Sequence, residues 1–198
     1  MPIIQTPPYI LKESAHGVAP VRLEDELLQS REIFLSNAVD SYTMNGLLKQ
    51  LMYLNKTAPE EEITLYINSP GGEVNSGLAV YDYMKMMKAP LRTVCVGTAA
   101  SMGAILFLAG DRREMFPHSQ LMIHDPAPSG GSMAGMKPDE MAEQLKSLKK
   151  VQKILCETIS ETTGKPMKEV QAKTRKDSFF DAKEAIEFGL ATTITETI

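Results

Sequence analysis

Apolar positions along this chain follow two periods, and the switches between them mark out its elements. Short apolar runs at Glu32–Leu35 (EIFL), Ile63–Ile67 (ITLYI), Leu91–Val96 and Gln120–Ile123 (QLMI) read as strands, the second buried on both faces. Between them the spacing turns helical. Met44, Leu47, Leu48, Leu51 and Met52 predict one helix behind a cap at Asp40 or Ser41, and Ser76–Lys88, stopped by Ala89-Pro90, predicts another. Leu23–Ser30 reads as a short acidic helix and Arg112–Phe116 as a short edge strand. Pro138 to about Thr163 reads as one long helix, closed by Gly164, with the apolar stripe Met141, Leu145, Leu148, Val151, Leu155 and Ile159. That stripe suits either packing on the chain's own sheet or a protruding helix whose partner is another subunit. Pro166–Thr174 is a further short helix. Asp181–Phe188 opens on a capping-box pattern and stops at Gly189, and Leu190–Ile194 is a last strand. Strands alternating with helices predict an α/β fold whose sheet is joined by right-handed crossovers.

The ends and one loop break the pattern. Residues 1–20 hold Pro2, Pro7, Pro8, Gly17 and Pro20 and read as an irregular arm, although Ile3, Ile4, Tyr9, Ile10 and Leu11 make it more apolar than a plain tail. Residues 21–198 read as a single domain. Ser129–Gly135 (SGGSMAG) reads as a flexible loop leading into the long helix, within a segment spanning 129–163.

Composition narrows the class. A chain of 198 residues with 43% hydrophobic and 23% charged residues is an ordinary globular domain with a sizeable core. A net charge of −4 without a dense basic run argues against nucleic-acid binding. The start, MPIIQTPPY, lacks a basic n-region and a long apolar core, so it is not read as a secretory signal, and no apolar stretch suits a bilayer. Cys95 and Cys156 read as buried thiols of a reducing compartment, and three histidines without a Cys/His cluster give no metal site and no cofactor site. The chain reads as cytoplasmic. Its 13 methionines read as adaptable packing.

The candidate chemistry centres on Gly97–Gly110, GTAASMGAILFLAG. It reads as a buried strand, a tight turn, and a buried helix whose first turn carries Ser101. A serine at such a junction has free backbone N–H groups beside it, as an activated nucleophile and its oxyanion hole require. Alone, the stretch matches no general nucleophile pattern, and a small-residue contact between helix and sheet also accounts for it. His124 at the end of a strand and Asp177 in a connection supply a base and an orienting acid. His16 and His118 compete as bases, and Asp125 and Asp181 as carboxylates. Gly72, in the turn Asn68-Ser-Pro-Gly-Gly72, and Met102, next after the serine, offer backbone N–H groups to an oxyanion.

Four blocks in order, Tyr66-Ile-Asn-Ser-Pro-Gly-Gly72, Gly97-Thr-Ala-Ala-Ser-Met-Gly-Ala104, Met122-Ile-His-Asp-Pro126 and Asp177-Ser-Phe…Ala182-Lys-Glu-Ala…Phe188-Gly-Leu190, resemble the ClpP family of self-compartmentalised serine peptidases. The resemblance covers roughly residues 21–196. It implies the ClpP/crotonase fold, with repeated spiral ββα units and a protruding handle helix, here the one beginning at Pro138. It implies Ser101 as nucleophile, His124 as base, Asp177 as orienting acid, and Gly72 and Met102 as the oxyanion hole. Gly71 and the strand Glu73, Val74, Asn75 on one side, with Asp125, Pro126 and Ala127 on the other, would flank an extended substrate by β-addition. The implied assembly is two stacked heptameric rings of this chain, or rings mixed with a second ClpP-type subunit. The implied partner is an AAA+ unfoldase of the ClpX, ClpC or ClpA type, feeding unfolded polypeptide. Departures from the family pattern are Gly17-Val-Ala-Pro20 in the arm, Asp125 after the histidine, and Arg175-Lys176 before Asp177. They suggest a divergent paralogue. Two rival readings are a weakly active or inactive structural subunit of a mixed ring and a crotonase-like acyl-CoA enzyme. A Ser–Lys peptidase finds no lysine in a matching block.

Overall fold

The computed structural model describes residues 9–14, 17–128 and 135–196. Its centre is a mostly parallel seven-stranded sheet whose main path runs β3-β4-β5-β6-β9. These strands are β3 (Glu32–Leu35), β4 (Ile63–Ser69), β5 (Leu91–Ala100), β6 (Arg112–Met115) and β9 (Thr193–Ile194). Strand β7 (Gln120–Ile123) pairs with the far end of β5, and β8 (Ser178–Phe180) runs antiparallel to β7. The helices are α1 (Leu23–Gln29), α2 (Ser41–Thr57), α3 (Val74–Met86), α4 (Met102–Leu108), α5 (Pro138–Thr163), α6 (Met167–Thr174) and α7 (Ala182–Phe188). Asp40 caps α2, its carboxylate accepting the Thr43 N–H at 2.7 Å. The core runs between sheet and helices, and every residue of α4 is buried within it.

Three expectations change. The irregular arm is, over its described part, an antiparallel hairpin of β1 (Tyr9–Ser14) and β2 (Gly17–Arg22). Pro20 obscured it, but a two-stranded ribbon has open edges that tolerate a proline. Arg112–Phe116 is not an edge, because β9 covers β6 on its outer side. The predicted turn after Val96 is strand. Two steps of β4 (Ile67 to Ser69) oppose four of β5 (Cys95 to Ala99), and the Asn68 side chain fills the slip by accepting the Thr98 N–H at 3.1 Å. Gly97 is needed there for close approach, since a Cβ would lie 2.6 Å from Asn68 Oδ1. The Ser129–Gly135 loop and His16 lie largely or wholly outside the described residues.

The long helix divides its stripe. Leu155, Cys156, Thr158 and Ile159 are buried, whereas no residue of the first half is, and Leu145 remains 47% exposed. The packing reading thus holds for the second half of α5, and the first half is left without a buried position.

An ionic cluster joins β5, β6 and the C-terminal segment. Glu114, 6% exposed, accepts from Arg92 Nη2 at 2.7 Å and Arg112 Nη2 at 2.8 Å, and from Thr195 Oγ1 at 3.3 Å. The Arg92 hydrogen bond and, beyond it, Arg112 pull its carboxyl down to about 2 against the opposing effect of burial. A depressed carboxyl stabilises the fold above its unfolded value of about 4.5 and loses that contribution as pH falls toward 2. Glu114→Gln is therefore expected to destabilise by roughly 3 kcal/mol at neutral pH, and to flatten the acid limb of the stability curve, measured by denaturant unfolding across pH.

Candidate active site

Strand pairing assembles the site. At the C-terminal end of β5, Ala100 pairs with Met122 of β7, and the next N–H, that of Ser101, donates to the Met122 carbonyl at 2.8 Å. Ser101 itself turns sharply. Its φ of 53° and ψ of −120° make it, with Arg31, one of two non-glycine residues at positive φ among those described. Such a conformation costs on the order of 1–3 kcal/mol and persists only where the surroundings enforce it. Here they do, because the Ser101 carbonyl also accepts the Ala104 and Ile105 N–H groups at 3.0 and 3.2 Å. Ser101 is thus the N-cap of α4, one position before the first turn where the sequence pattern put it.

Two residues beyond Met122, His124 leaves the end of β7 with its ring beside the serine. Nε2 lies 2.9 Å from Ser101 Oγ. The pairing of β7 with β8 matches Ile123 to Ser178, so the next residues outward, His124 and Asp177, meet. Asp177 Oδ1 lies 3.2 Å from His124 Nδ1. With a carboxylate on Nδ1, the neutral ring carries its proton there and leaves Nε2 free to accept from Oγ. The His124 side chain is 28% exposed and that of Asp177 62%.

The Asn68–Gly72 turn lies against this elbow. A Cβ on Gly71 would sit 2.8 Å from Ser101 Cβ and 2.9 Å from Met102 N, which places the turn beside the N–H that follows the serine. Gly71 has φ 86° and Gly72 φ 150°, and a Cβ on Gly72 would strike the Val39 carbonyl at 2.2 Å. Only glycine fits both requirements. Met102, at the first position of α4, has no intrahelical acceptor for its N–H.

A family model described as Clp protease matches residues 16–198. The chain belongs to the Clp protease family. Membership supports a ClpP-type peptidase and implies association with Clp ATPases and oligomerisation, and the α/β architecture with its parallel-strand sheet is consistent with the ClpP fold. No helix among the described residues is long and apolar enough to cross a membrane.

Within this Clp-family chain the two competing carboxylates are otherwise engaged. Asp181 caps α7, accepting the Lys183 and Glu184 N–H groups, both at 2.9 Å. Asp125 turns its Oδ2 to Gln152 Nε2 of α5 at 2.6 Å, and its N–H bonds the Thr174 carbonyl at 2.6 Å. His118 stands in the turn between β6 and β7. Burial pushes both thiols, Cys95 and Cys156, above their ordinary range, which makes them poor rival nucleophiles.

The substrate-flanking residues need correction. Glu73, Val74 and Asn75 do not form a strand. Glu73 is the N-cap of α3, its N–H bonded to the Val39 carbonyl at 2.7 Å, and the helix begins at Val74. Asp125 has both its N–H and its carboxylate turned inward. Of the other flanking residues, Gly71 lies against Ser101, and Pro126 and Ala127 follow Asp125 outside any helix or strand. The sequence reading missed β8, whose three residues, Ser178-Phe-Phe180, are too few to show a period, and it missed Ser69 and Asn68, which shape the turn.

Proposed function

We propose that this chain is the proteolytic subunit of an ATP-dependent Clp protease, a serine endopeptidase that cleaves unfolded polypeptide inside an oligomeric chamber. The observation that carries this reading is the continuous chain from a strained Ser101 through His124 to Asp177, at 2.9 and 3.2 Å. As the peptide carbonyl is attacked, His124 Nε2 takes the Oγ proton. Oγ bonds the carbonyl carbon, and negative charge moves to the carbonyl oxygen. The N–H groups of Gly72 and Met102 receive that oxygen. His124 then returns the proton to the departing amine. Water, deprotonated by the same nitrogen, releases the acyl group from Ser101 and restores the site. Asp177 keeps the imidazole in the productive tautomer and stabilises its protonated form. Gly71–Gly72 and Pro126–Ala127 are the backbones that bind the substrate as an added strand.

Nothing in this chemistry uses nucleotide. ATP hydrolysis belongs to an AAA+ unfoldase that delivers the chain. The unburied first half of α5, with Leu145 exposed, supports its role as a handle joining two heptameric rings. The test is hydrolysis of a short fluorogenic peptide by the purified, assembled protein without nucleotide. Turnover is expected. An assembled ring without turnover would overturn the peptidase reading in favour of a structural subunit, against which the Ser101–His124 hydrogen bond and the adjoining Asp177 carboxylate weigh.

A further inference from the structure

The Gly71–Gly72 turn is held from two sides. On one side lies Val39, in the connection from β3 to α2. Its N–H donates to the Gly71 carbonyl at 2.9 Å, and its carbonyl accepts the Glu73 N–H at 2.7 Å. On the other side lies Ser69, the last residue of β4, 1% exposed. Its Oγ donates to the Asn37 carbonyl at 2.6 Å and accepts the Gly71 N–H at 3.2 Å. A hydroxyl has one proton and two lone pairs, so both bonds coexist. Ser69 also touches the start of α4, since a Cβ on Gly103 would lie 3.0 Å from the Ser69 carbonyl oxygen and 3.4 Å from its Cβ.

The consequence is selective. Of three successive N–H groups, that of Gly71 is taken by Ser69 and that of Glu73 by Val39. The Gly72 N–H between them has no acceptor among the described residues. A peptide turn with all three groups free could rotate any of them toward a new acceptor. With its neighbours fixed, the middle one has a single direction.

We propose that Ser69 is a positioning residue for the oxyanion-binding N–H of Gly72. Its buried hydroxyl ties the turn to the Asn37 carbonyl and so sets where that N–H points when negative charge develops on the substrate. This rests on the serine peptidase reading above. Ser69→Ala leaves the buried Gly71 N–H without its acceptor and removes the tie to the Asn37 carbonyl, and the turn shifts to satisfy the Gly71 N–H. A donor must sit within tenths of an ångström of the developing oxyanion to stabilise it, whereas ground-state binding along the extended backbone is less demanding.

Three chains are compared in peptide hydrolysis: the native protein, Ser69→Ala and Ser69→Thr. Ser69→Ala is expected to lower kcat by about 10–100-fold with KM within about twofold, and to weaken inhibition by a peptide aldehyde, whose adduct carries the oxyanion, by the same factor. Inhibition by the cleaved product peptide stays unchanged. Ser69→Thr keeps the hydroxyl and regains most of kcat. Because the two inhibitors are compared on whatever protein is folded, the ratio remains readable if alanine lowers stability. A native kcat in Ser69→Ala overturns the proposal, and so does an equal loss of aldehyde and product affinity, which marks a purely structural role. Failure of the native chain to cleave any peptide instead strikes the peptidase reading itself.

Discussion

Ser101→Ala is expected to reduce peptide hydrolysis by about 10⁴–10⁶-fold while leaving the fold and the assembly intact. At the middle of that range the loss is about 7 kcal/mol of transition-state stabilisation, more than the rest of the site recovers. The substitution removes one oxygen. Alanine has the same backbone preference against φ of 53°, so the strain of the elbow is unchanged, and the anchors to Met122, Ala104 and Ile105 are all backbone. What disappears is the atom that bonds the carbonyl carbon, together with the 2.9 Å contact to His124 Nε2. Kinetics of native and variant chains at equal ring concentration check this, with mass in solution as the control for assembly. Adding a second change at His124 is expected to cost little more, because nucleophile and base act as one unit.

Asp177→Asn is expected to lower kcat by about 10³–10⁴-fold with a smaller effect on KM. An amide is isosteric with the carboxylate but carries no charge. It can turn its NH₂ group to His124 Nδ1, which then becomes the acceptor and forces the ring proton onto Nε2, where it blocks acceptance from Oγ. If the amide presents its oxygen instead, the tautomer is right but the imidazolium formed during attack lacks its counter-charge. Either outcome spares substrate binding, because Asp177 lies behind the histidine. Measuring kcat and KM separately distinguishes this from a folding defect, as does a crystal structure of the variant. A loss below about tenfold would show that another group orients His124.

Much of this site was legible because its residues sit at junctions that local chemistry announces. Pro-Gly-Gly after a buried strand and small residues around Ser101 mark places where backbones approach closely, and His124 stands where an apolar run ends. The helices α2, α5 and α7 were visible through caps and spacing, with α5 running from Pro138 to Thr163 as read. The failures have physical causes too. Gly97 signalled a turn, but its missing Cβ serves the Asn68 side chain at a register slip, a contact between two strands that no local pattern encodes. The three residues of β8 acquire strand geometry from β7, and this pairing is what carries Asp177 to His124. The β1–β2 hairpin buries almost nothing, so its alternation carries no inward face to detect. Glu73–Asn75 looked extended after the glycines, whereas the N-cap position of Glu73 turns the chain at once into α3.

The central claim, that Ser101 is a nucleophile activated by His124 and Asp177, is tested most directly by exposing the purified, assembled protein to a fluorophosphonate and mapping the adduct by peptide mass spectrometry. The geometry predicts one phosphonyl group per chain, on Ser101, with labelling lost in Ser101→Ala and strongly slowed in Asp177→Asn. An unlabelled ring, or a label on any other residue, would contradict it.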